Sequence, residues 1–452
     1  MKQVSVGMIN ELQIILELSQ NGTKKLCSTL RKGLGQQAVE SNITEKLSEI
    51  EKTLESFYNV EKMALKDSEN NCIFRDVLYV KSTSEFVIEI IKQRSLDPTT
   101  AFVRVSLDGG GGFLKVIVNV FETEEFEESE TNFKNSGVQR SQILSLVQDA
   151  PENSHNLHII LEKLKLDETK YHLAFDLKCA NILFGLSGHG GKFACLWCEG
   201  DCADSNGKLR SLGSIDEWYQ KYVEDGEKHS KMKLFKNVIN KRLVYLDSEP
   251  ETLLQNLVPP PELHLLIGVV DKLGNVILKL WPEFDNWLTD NYIMKRGYQG
   301  SGWNGNNANK ILKNVDSLEF EIQTKAPHLL PFIKCLRDFK LVKSSCFGNN
   351  LEVDYERNVN SFSDSFLFCC EVAASLETQL RVSWKVHAVM NHVVPFCKEH
   401  NCGLSRFAEQ TGEAIHSKFA PTWARLGYIS ILLRYLFFLY RERQIQEYIS
   451  EV

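Results

Sequence analysis

The spacing of hydrophobic and polar residues changes twice along the chain, near residue 101 and again after residue 200. Before residue 95, apolar side chains recur at helical spacing in the segments 11–20, 43–57 and 84–93. From 101 to 175 they form short β-rich runs, which are typical of strands. The pattern therefore predicts a mixed α/β chain in four parts: a helical N-terminal region at 1–95, a strand-rich core at 96–200, a mainly helical insertion at 201–380, and C-terminal helices at 381–452.

A β-hairpin with a carboxylate at its turn is predicted at the start of the strand-rich core. The run AFVRVSL ends at Asp108 and four glycines, and FLKVIVNVF at 113–121 resumes as a strand. Aspartate is common at tight turns. Four consecutive glycines also leave the backbone without side chains, which suits the approach of a phosphate backbone to Asp108. A third strand is predicted in SQILSLVQDA, and a helix is predicted after it in HNLHIILEKLKL.

A second aspartate follows another predicted strand. YHLAF at 171–175 reads as a short buried strand that ends at Asp176, and a helix is predicted at 177–186. Such an aspartate often caps the next helix, but it also lies where open α/β sheets bind ligands. The order of these elements is that of the ribonuclease-H-like fold, in which the first and fourth strands are neighbours. We therefore expect Asp108 and Asp176 to lie together and to hold two Mg²⁺ or Mn²⁺ ions for phosphodiester chemistry.

A zinc site is predicted from two residue pairs far apart in the sequence. Cys195 and Cys198 have the Cys-x-x-Cys spacing that lets two thiolates bind one tetrahedral zinc. His387 and His392 have the spacing of a histidine pair. Residues five apart on a regular helix point in different directions, so joint binding needs a distorted or ending helix. The cysteines at 202, 397 and 402 are rival ligands. We expect a structural Cys2His2 zinc site.

A third candidate metal-binding carboxylate lies near the C-terminus. The segment GLSRFAEQTGEAIHSKF predicts a helix with Glu409 and Glu413 one turn apart on one face. Either carboxylate could face a metal. The alternative is an ordinary charged helix face.

Composition limits the class of protein. At 452 residues, with 43% hydrophobic and 25% charged residues, the sequence describes a globular protein with more than one core or one large domain. The longest apolar run is interrupted by Arg434, so no membrane span is expected. The twelve cysteines are expected as thiols or metal ligands inside the cell. The net charge of −7 argues against a globally basic nucleic-acid binder, although a local basic groove would suffice.

Together, the residues from about Ala101 to Phe419 resemble the catalytic core shared by Transib transposases and the large subunit of the V(D)J recombinase. In that family one catalytic Asp lies in an Asp-Gly turn, as in LDGGGG at Asp108. A second lies nineteen residues before a Cys-x-x-Cys, the interval from Asp176 to Cys195. A His-x4-His completes the zinc site, as in HAVMNH, and a catalytic Glu follows about twenty residues later. Glu413 is nearest to that position, and Glu409 is the competing choice.

The resemblance implies a nuclear, ribonuclease-H-like enzyme of the DDE type that nicks DNA and transfers strands with two metal ions. Its partners would be DNA (transposon ends or signal sequences derived from them), a second copy of the chain and an accessory subunit. The interval from Asp108 to Asp176 is shorter than in the recombinase, and the family's RING-type and terminal-repeat-binding regions are not apparent upstream of Ala101. These departures motivate an alternative: a domesticated or decayed descendant that binds DNA or protein without cleavage.

Overall fold

The computed structural model describes residues 20–39, 55–123, 140–188, 192–202, 207–244, 249–294 and 302–409, with scattered positions up to residue 52 and between 133 and 137. The protein is a mixed α/β chain with many helices and a mostly antiparallel sheet. The described residues divide into two compact units, one up to Tyr171 and one from His172 onward.

The first unit is built on five strands. The helices and strands are α1 (Gln20–Leu34), β1 (Tyr58–Lys66), β2 (Cys72–Val80), α2 (Thr83–Gln93), β3 (Phe102–Asp108), β4 (Phe113–Phe121), β5 (Gln142–Gln148) and α3 (Ser154–Leu164). The strands lie in the order β1-β2-β5-β4-β3, each antiparallel to its neighbour. All nine residues of β4 are buried, so side chains from both faces of the sheet contribute to the core. That explains why its sequence is a nearly continuous apolar run rather than an alternating one.

The predicted hairpin at Asp108 is confirmed, and so are the third strand and the helix after it. The prediction that residues 1–95 are helical needs a correction at 58–80, where β1 and β2 form a hairpin. The second of these strands, CIFRDVLYV, is rich in the β-branched and aromatic residues that favour strands. The turn between them is built by Asp67, whose Oδ1 accepts from the backbone N–H groups of Glu69 and Asn71. The predicted helix at 84–93 is confirmed as α2, whereas the segments at 11–20 and 43–57 lie largely outside the described residues.

The second unit is mainly helical, as the sequence predicts for its insertion. It begins with the short strand β6 (His172–Ala174). Its helices are α4 (Leu177–Leu183), α5 (Leu212–Glu224), α6 (Leu254–Leu257), α7 (Glu262–Leu280), α8 (Phe284–Asp290), α9 (Gly305–Lys313), α10 (Val315–Lys325), α11 (Leu330–Val342), α12 (Tyr355–Ser375), α13 (Trp384–Asn391) and α14 (Val393–His400). The long helix α7 packs against α9 and α13, and α11 packs along α12. Helix α7 therefore packs on the helix that carries His387, one of the two predicted zinc histidines.

In the part of the chain that the structure describes, no helix combines the length and the hydropathy needed to cross a membrane.

Candidate metal centre and the cavity beside Asp176

The four predicted zinc ligands lie together in the second unit. The ligand atoms of Cys195, Cys198, His387 and His392 are all buried and lie within 4.8 Å of one another. Cys195 Sγ is 3.3 Å from His392 Nε2, and Cys198 Sγ is 3.4 Å from His387 Nε2. The two histidine Nε2 atoms are 3.2 Å apart. The rival thiols of Cys202, Cys397 and Cys402 are not part of this group.

These separations fit a tetrahedral zinc ion. Bonds of about 2.0 Å from zinc to nitrogen and about 2.3 Å from zinc to sulfur give edges of roughly 3.3 Å between nitrogens and roughly 3.5 Å between nitrogen and sulfur. The observed distances of 3.2 to 3.4 Å lie close to these edges. The group is therefore suited to hold a metal such as zinc.

A break in the helix brings the two histidines to one point. Helix α13 ends at Asn391, and His392 has φ −122° and ψ −18°, outside helical geometry. Helix α14 begins at the next residue and has Pro395 in its first turn, where a missing N–H is tolerated. The His387 Nδ1–H donates to the carbonyl of Cys202 at 3.0 Å, which turns Nε2 toward the thiols. The expectation that joint binding needs an ending helix is confirmed.

A buried arginine holds the cysteine turn in place. The Arg210 guanidinium is fully buried and donates to the carbonyls of Phe193, Cys195, Cys198 and Lys236. Its backbone N–H donates to the Trp197 carbonyl, which closes the turn into a small β-bridge. A cation so near two thiolates also stabilises their negative charge. The sequence analysis missed Arg210, because a single arginine without a spacing pattern gives no signal.

The two thiols have opposite pKa shifts. Burial raises the pKa of Cys195 well above its usual value. The hydrogen bond from the Cys195 thiol lowers the pKa of Cys198 to about 2, with further lowering by His387 and His392. The lowered pKa keeps Cys198 as the thiolate that a metal ion needs, and a bound zinc ion would favour the deprotonated form of Cys195 as well.

Asp108 lies at the end of β3 in the first unit, as predicted. Its cross-strand partner in the register is Lys115, which is fully buried. Residues directly opposite in an antiparallel pair share a face of the sheet, so the ammonium group lies on the same side as the carboxylate. The glycines that follow have a structural reason of their own. Gly112 has φ +81°, and a Cβ at Gly109 would lie 2.4 Å from the Cβ of Glu152.

Asp176 lies just after β6 in the second unit and caps α4. Its Oδ1 accepts from the backbone N–H of Cys179 at 2.7 Å, so the cap interpretation of this residue is confirmed. The side chain also lines a cavity of about 610 Å³ formed mainly by α7 and the residues around the start of α13. A cap uses one carboxylate oxygen, and the second oxygen remains suited to a cation. The proximity of Asp176 to Asp108, which lies in the other unit, stays a prediction.

Glu409 is bound to the N-terminus of α7. Its Oε1 accepts from the backbone N–H groups of Leu263 and His264 at 3.0 and 3.3 Å, and it lies 3.1 Å from His264 Nδ1. Pro261 precedes this helix and provides no side-chain cap, so the Glu409 carboxylate serves as one. His264 also lines the cavity beside Asp176. The alternative carboxylate, Glu413, lies outside the described residues.

Glu262 is a second buried carboxyl group at the same helix end. It is 8% exposed, and its Oε2 has no hydrogen-bond partner among the described residues. Burial and the charge of Glu409 raise the pKa of Glu262 to about 8. The group is therefore largely neutral at pH 7. The sequence analysis missed it, because a glutamate in the first turn of a helix is usually exposed and charged.

Neither a protein-family model nor a curated protein matches this chain. The assignment of a function therefore rests on the geometry of these residues.

Proposed function

We propose that the protein is a DNA transposase-type nuclease of the ribonuclease-H-like class, in which Asp108, Asp176 and Glu413 hold two Mg²⁺ or Mn²⁺ ions. The observation that carries the proposal is the convergence of Cys195, Cys198, His387 and His392 in one tetrahedral group. The same resemblance that pairs these residues also assigns the carboxylates. That resemblance requires one site to be built from segments almost 200 residues apart, and the four residues do lie together.

The surroundings of the carboxylates support the proposal. Asp108 and Asp176 each stand at the C-terminal end of a strand, where open α/β sheets place ligands. Asp176 opens onto a cavity large enough for part of a nucleotide chain. We take Glu413 as the third carboxylate and keep Glu409 as the alternative, since Glu409 caps α7 through Oε1 and its Oε2 has no hydrogen-bond partner among the described residues.

Each part of the chain then has a distinct task. The three carboxylates orient the scissile phosphate and the attacking oxygen. Bound Mg²⁺ or Mn²⁺ would supply the charge that lowers the pKa of the attacking water and stabilises the leaving oxygen. The 3′-hydroxyl freed by the nick would attack a second strand in the same site, so no covalent enzyme intermediate forms. The zinc group would hold the helices in place without taking part in the reaction.

The test is metal-dependent nicking of supercoiled plasmid DNA by the full chain with Mn²⁺. We expect Asp108→Asn, Asp176→Asn and Glu413→Gln each to slow nicking about 100-fold or more while DNA binding persists. Glu409→Gln should slow it less, and Asp216→Asn, at an exposed surface carboxylate, should have no effect. Nicking that survives all three substitutions would refute the assignment.

A binding module without cleavage is the second candidate, and the net charge of −7 favours it, because a DNA-handling enzyme usually carries a more basic surface. In the same assay a native chain that binds DNA but does not nick it, with each metal tried, would select this candidate.

A further inference from the structure

The cavity beside Asp176 concentrates positive charge in an acidic protein. Four of its lining residues are lysines (Lys178, Lys272, Lys279 and Lys385). Against them stand two aspartates, Asp176 and Asp271, so the lining has a formal charge of +2 with His264 neutral. The chain as a whole carries −7. A local excess of cations in a concave surface focuses the field that attracts a polyanion.

One of these lysines, Lys385, passes over helix α7 at a glycine. The side chain of Lys385 crosses α7 at Gly268, where a Cβ would lie 2.1 Å from Lys385 Cδ. A glycine inside a helix costs about 1 kcal/mol relative to alanine. At this position a side chain would force Lys385 to shift, because the added Cβ would also lie 3.0 Å from Lys385 Cβ.

The helix that carries Lys385 is fixed at both ends. Ser383 caps its N-terminus, with Oγ accepting from the backbone N–H of Val386. His387 follows in the same helix and belongs to the metal group. Trp384 lies between the cap and Lys385 and also lines the cavity. The cap and the metal group together set the direction of both Trp384 and Lys385.

We propose that this cavity binds one strand of DNA, with Lys385, Lys272 and Lys279 contacting phosphates and Trp384 stacking on a base. Lysines interspersed with an aromatic side chain are the composition of single-strand grooves, where charge follows the backbone and stacking holds the bases. A volume of about 610 Å³ suits one or two nucleotides rather than a lone ion. The inference rests on the proposed function, since it delivers the strand to Asp176.

The experiment is fluorescence anisotropy of a labelled single-stranded DNA oligonucleotide with the full chain, without added Mg²⁺ or Mn²⁺, over a range of salt concentrations. Lys385→Gln and Lys272→Gln should each weaken binding and reduce the slope of log Kd against log salt by about 0.7, the value for one lost phosphate contact on a single strand. Trp384→Leu should weaken binding about 5-fold or more with the slope unchanged.

Two variants test whether DNA affinity depends on the position of Lys385 in the cavity or only on the charge of the chain. Gly268→Ala keeps every charge but displaces Lys385, so it should lose affinity as Lys385→Gln does. Lys313→Gln removes the same charge from an exposed position outside the cavity and should bind as the native chain does. Zinc content and the melting temperature confirm that each variant is folded, and Lys272, which is exposed, tests the cavity without disturbing the core.

The outcomes separate this inference from the proposed function. Native nicking combined with unchanged DNA affinity in all the cavity variants would overturn the inference and leave the nuclease standing. Cavity variants that lose DNA affinity in a chain that never nicks would support the inference and remove the nuclease. Competition by polyglutamate that equals competition by DNA, with no effect of Trp384→Leu, would make the cavity a site for acidic peptides and overturn the inference.

Discussion

One buried carboxylate oxygen, Oε1 of Glu409, organises the residues at the start of α7. Glu409 Oε1 accepts from two backbone N–H groups and contacts His264, so one carboxylate neutralises a helix terminus and orients a histidine toward the cavity. Glu262 lies close enough for its own charge to be repelled by this carboxylate. The low-energy arrangement is one charged and one neutral carboxyl group, which is the usual outcome for two acids that share a dry site.

The neutral state of Glu262 predicts a dependence of stability on pH. Its native pKa of about 8 exceeds the ordinary value of 4.5, so the folded chain keeps a proton that the unfolded chain releases. The free energy of unfolding should therefore fall as pH rises from about 4.5 to 8, by at most about 1.4 kcal/mol per pH unit from this group. Glu262→Gln should flatten that decline and be the more stable protein at pH 8, as measured by urea unfolding at several pH values.

Exposed Glu251 provides the matched control, because Glu251→Gln should leave the pH profile unchanged. An identical slope in native protein and Glu262→Gln between pH 5 and 8 would show that Glu262 is charged when folded.

At the scale of elements, the end of α4 depends on one glycine. Gly185 has φ +79°, and a Cβ there would lie 2.0 Å from the carbonyl oxygen of Asn240. Its own carbonyl accepts from the backbone N–H groups of Ile239 and Asn240, so the two segments are joined backbone to backbone. We expect Gly185→Ala to lower the free energy of unfolding by about 3 kcal/mol or more, because strain from the positive φ and a backbone clash add.

Gly226 allows the cost of the positive φ to be measured without a backbone clash. It has φ +83° in the same unit, but a Cβ there would meet no atom within 4 Å. Gly226→Ala should cost about 1 kcal/mol in the same urea titration. Equal losses in the two variants would mean that the segments at 185 and 240 move apart easily.

The sequence predicted the elements whose signal is local. The hairpin at Asp108 was marked by two apolar runs around a glycine turn, and the metal group by residue pairs with ligand spacing. The hairpin at 58–80 was missed because its first strand, YNVEKMALK, mixes polar and apolar residues without strict alternation, and only pairing with β2 settles it. The roles of Glu262 and Glu409 depend on contacts between segments far apart in the chain, which no local pattern encodes. Arg210 bonds to nearer carbonyls, but no spacing pattern marks it.

At the scale of the whole molecule, the metal group brings together segments of the second unit that lie almost 200 residues apart. It joins the cysteine turn at 195–198 to the junction of α13 and α14. Helix α13 in turn packs on α7, the helix that forms much of the cavity wall. Zinc binding is therefore expected to stabilise the fold of this unit and, through α13, to fix the positions of Trp384 and Lys385.

Removal of the zinc ion should consequently destabilise the second unit and leave the stability of the first unit unchanged. We expect the isolated protein to contain one zinc ion per chain, and Cys198→Ser to lose it and to destabilise the second unit by several kcal/mol, roughly 3 to 10. Hydrogen exchange should then accelerate in α7, α13 and the cysteine turn, while the amides of β2, β4 and β5 keep their protection.

Cys202→Ser is the control, because only the carbonyl of that residue contacts His387 and the zinc content should not change. A chain that lacks zinc as isolated, or one whose second unit exchanges at the same rate after chelation, would contradict a structural zinc ion. If zinc stabilises this unit, the chelated protein should also lose affinity for single-stranded DNA, although none of the four residues of the zinc group lines the cavity.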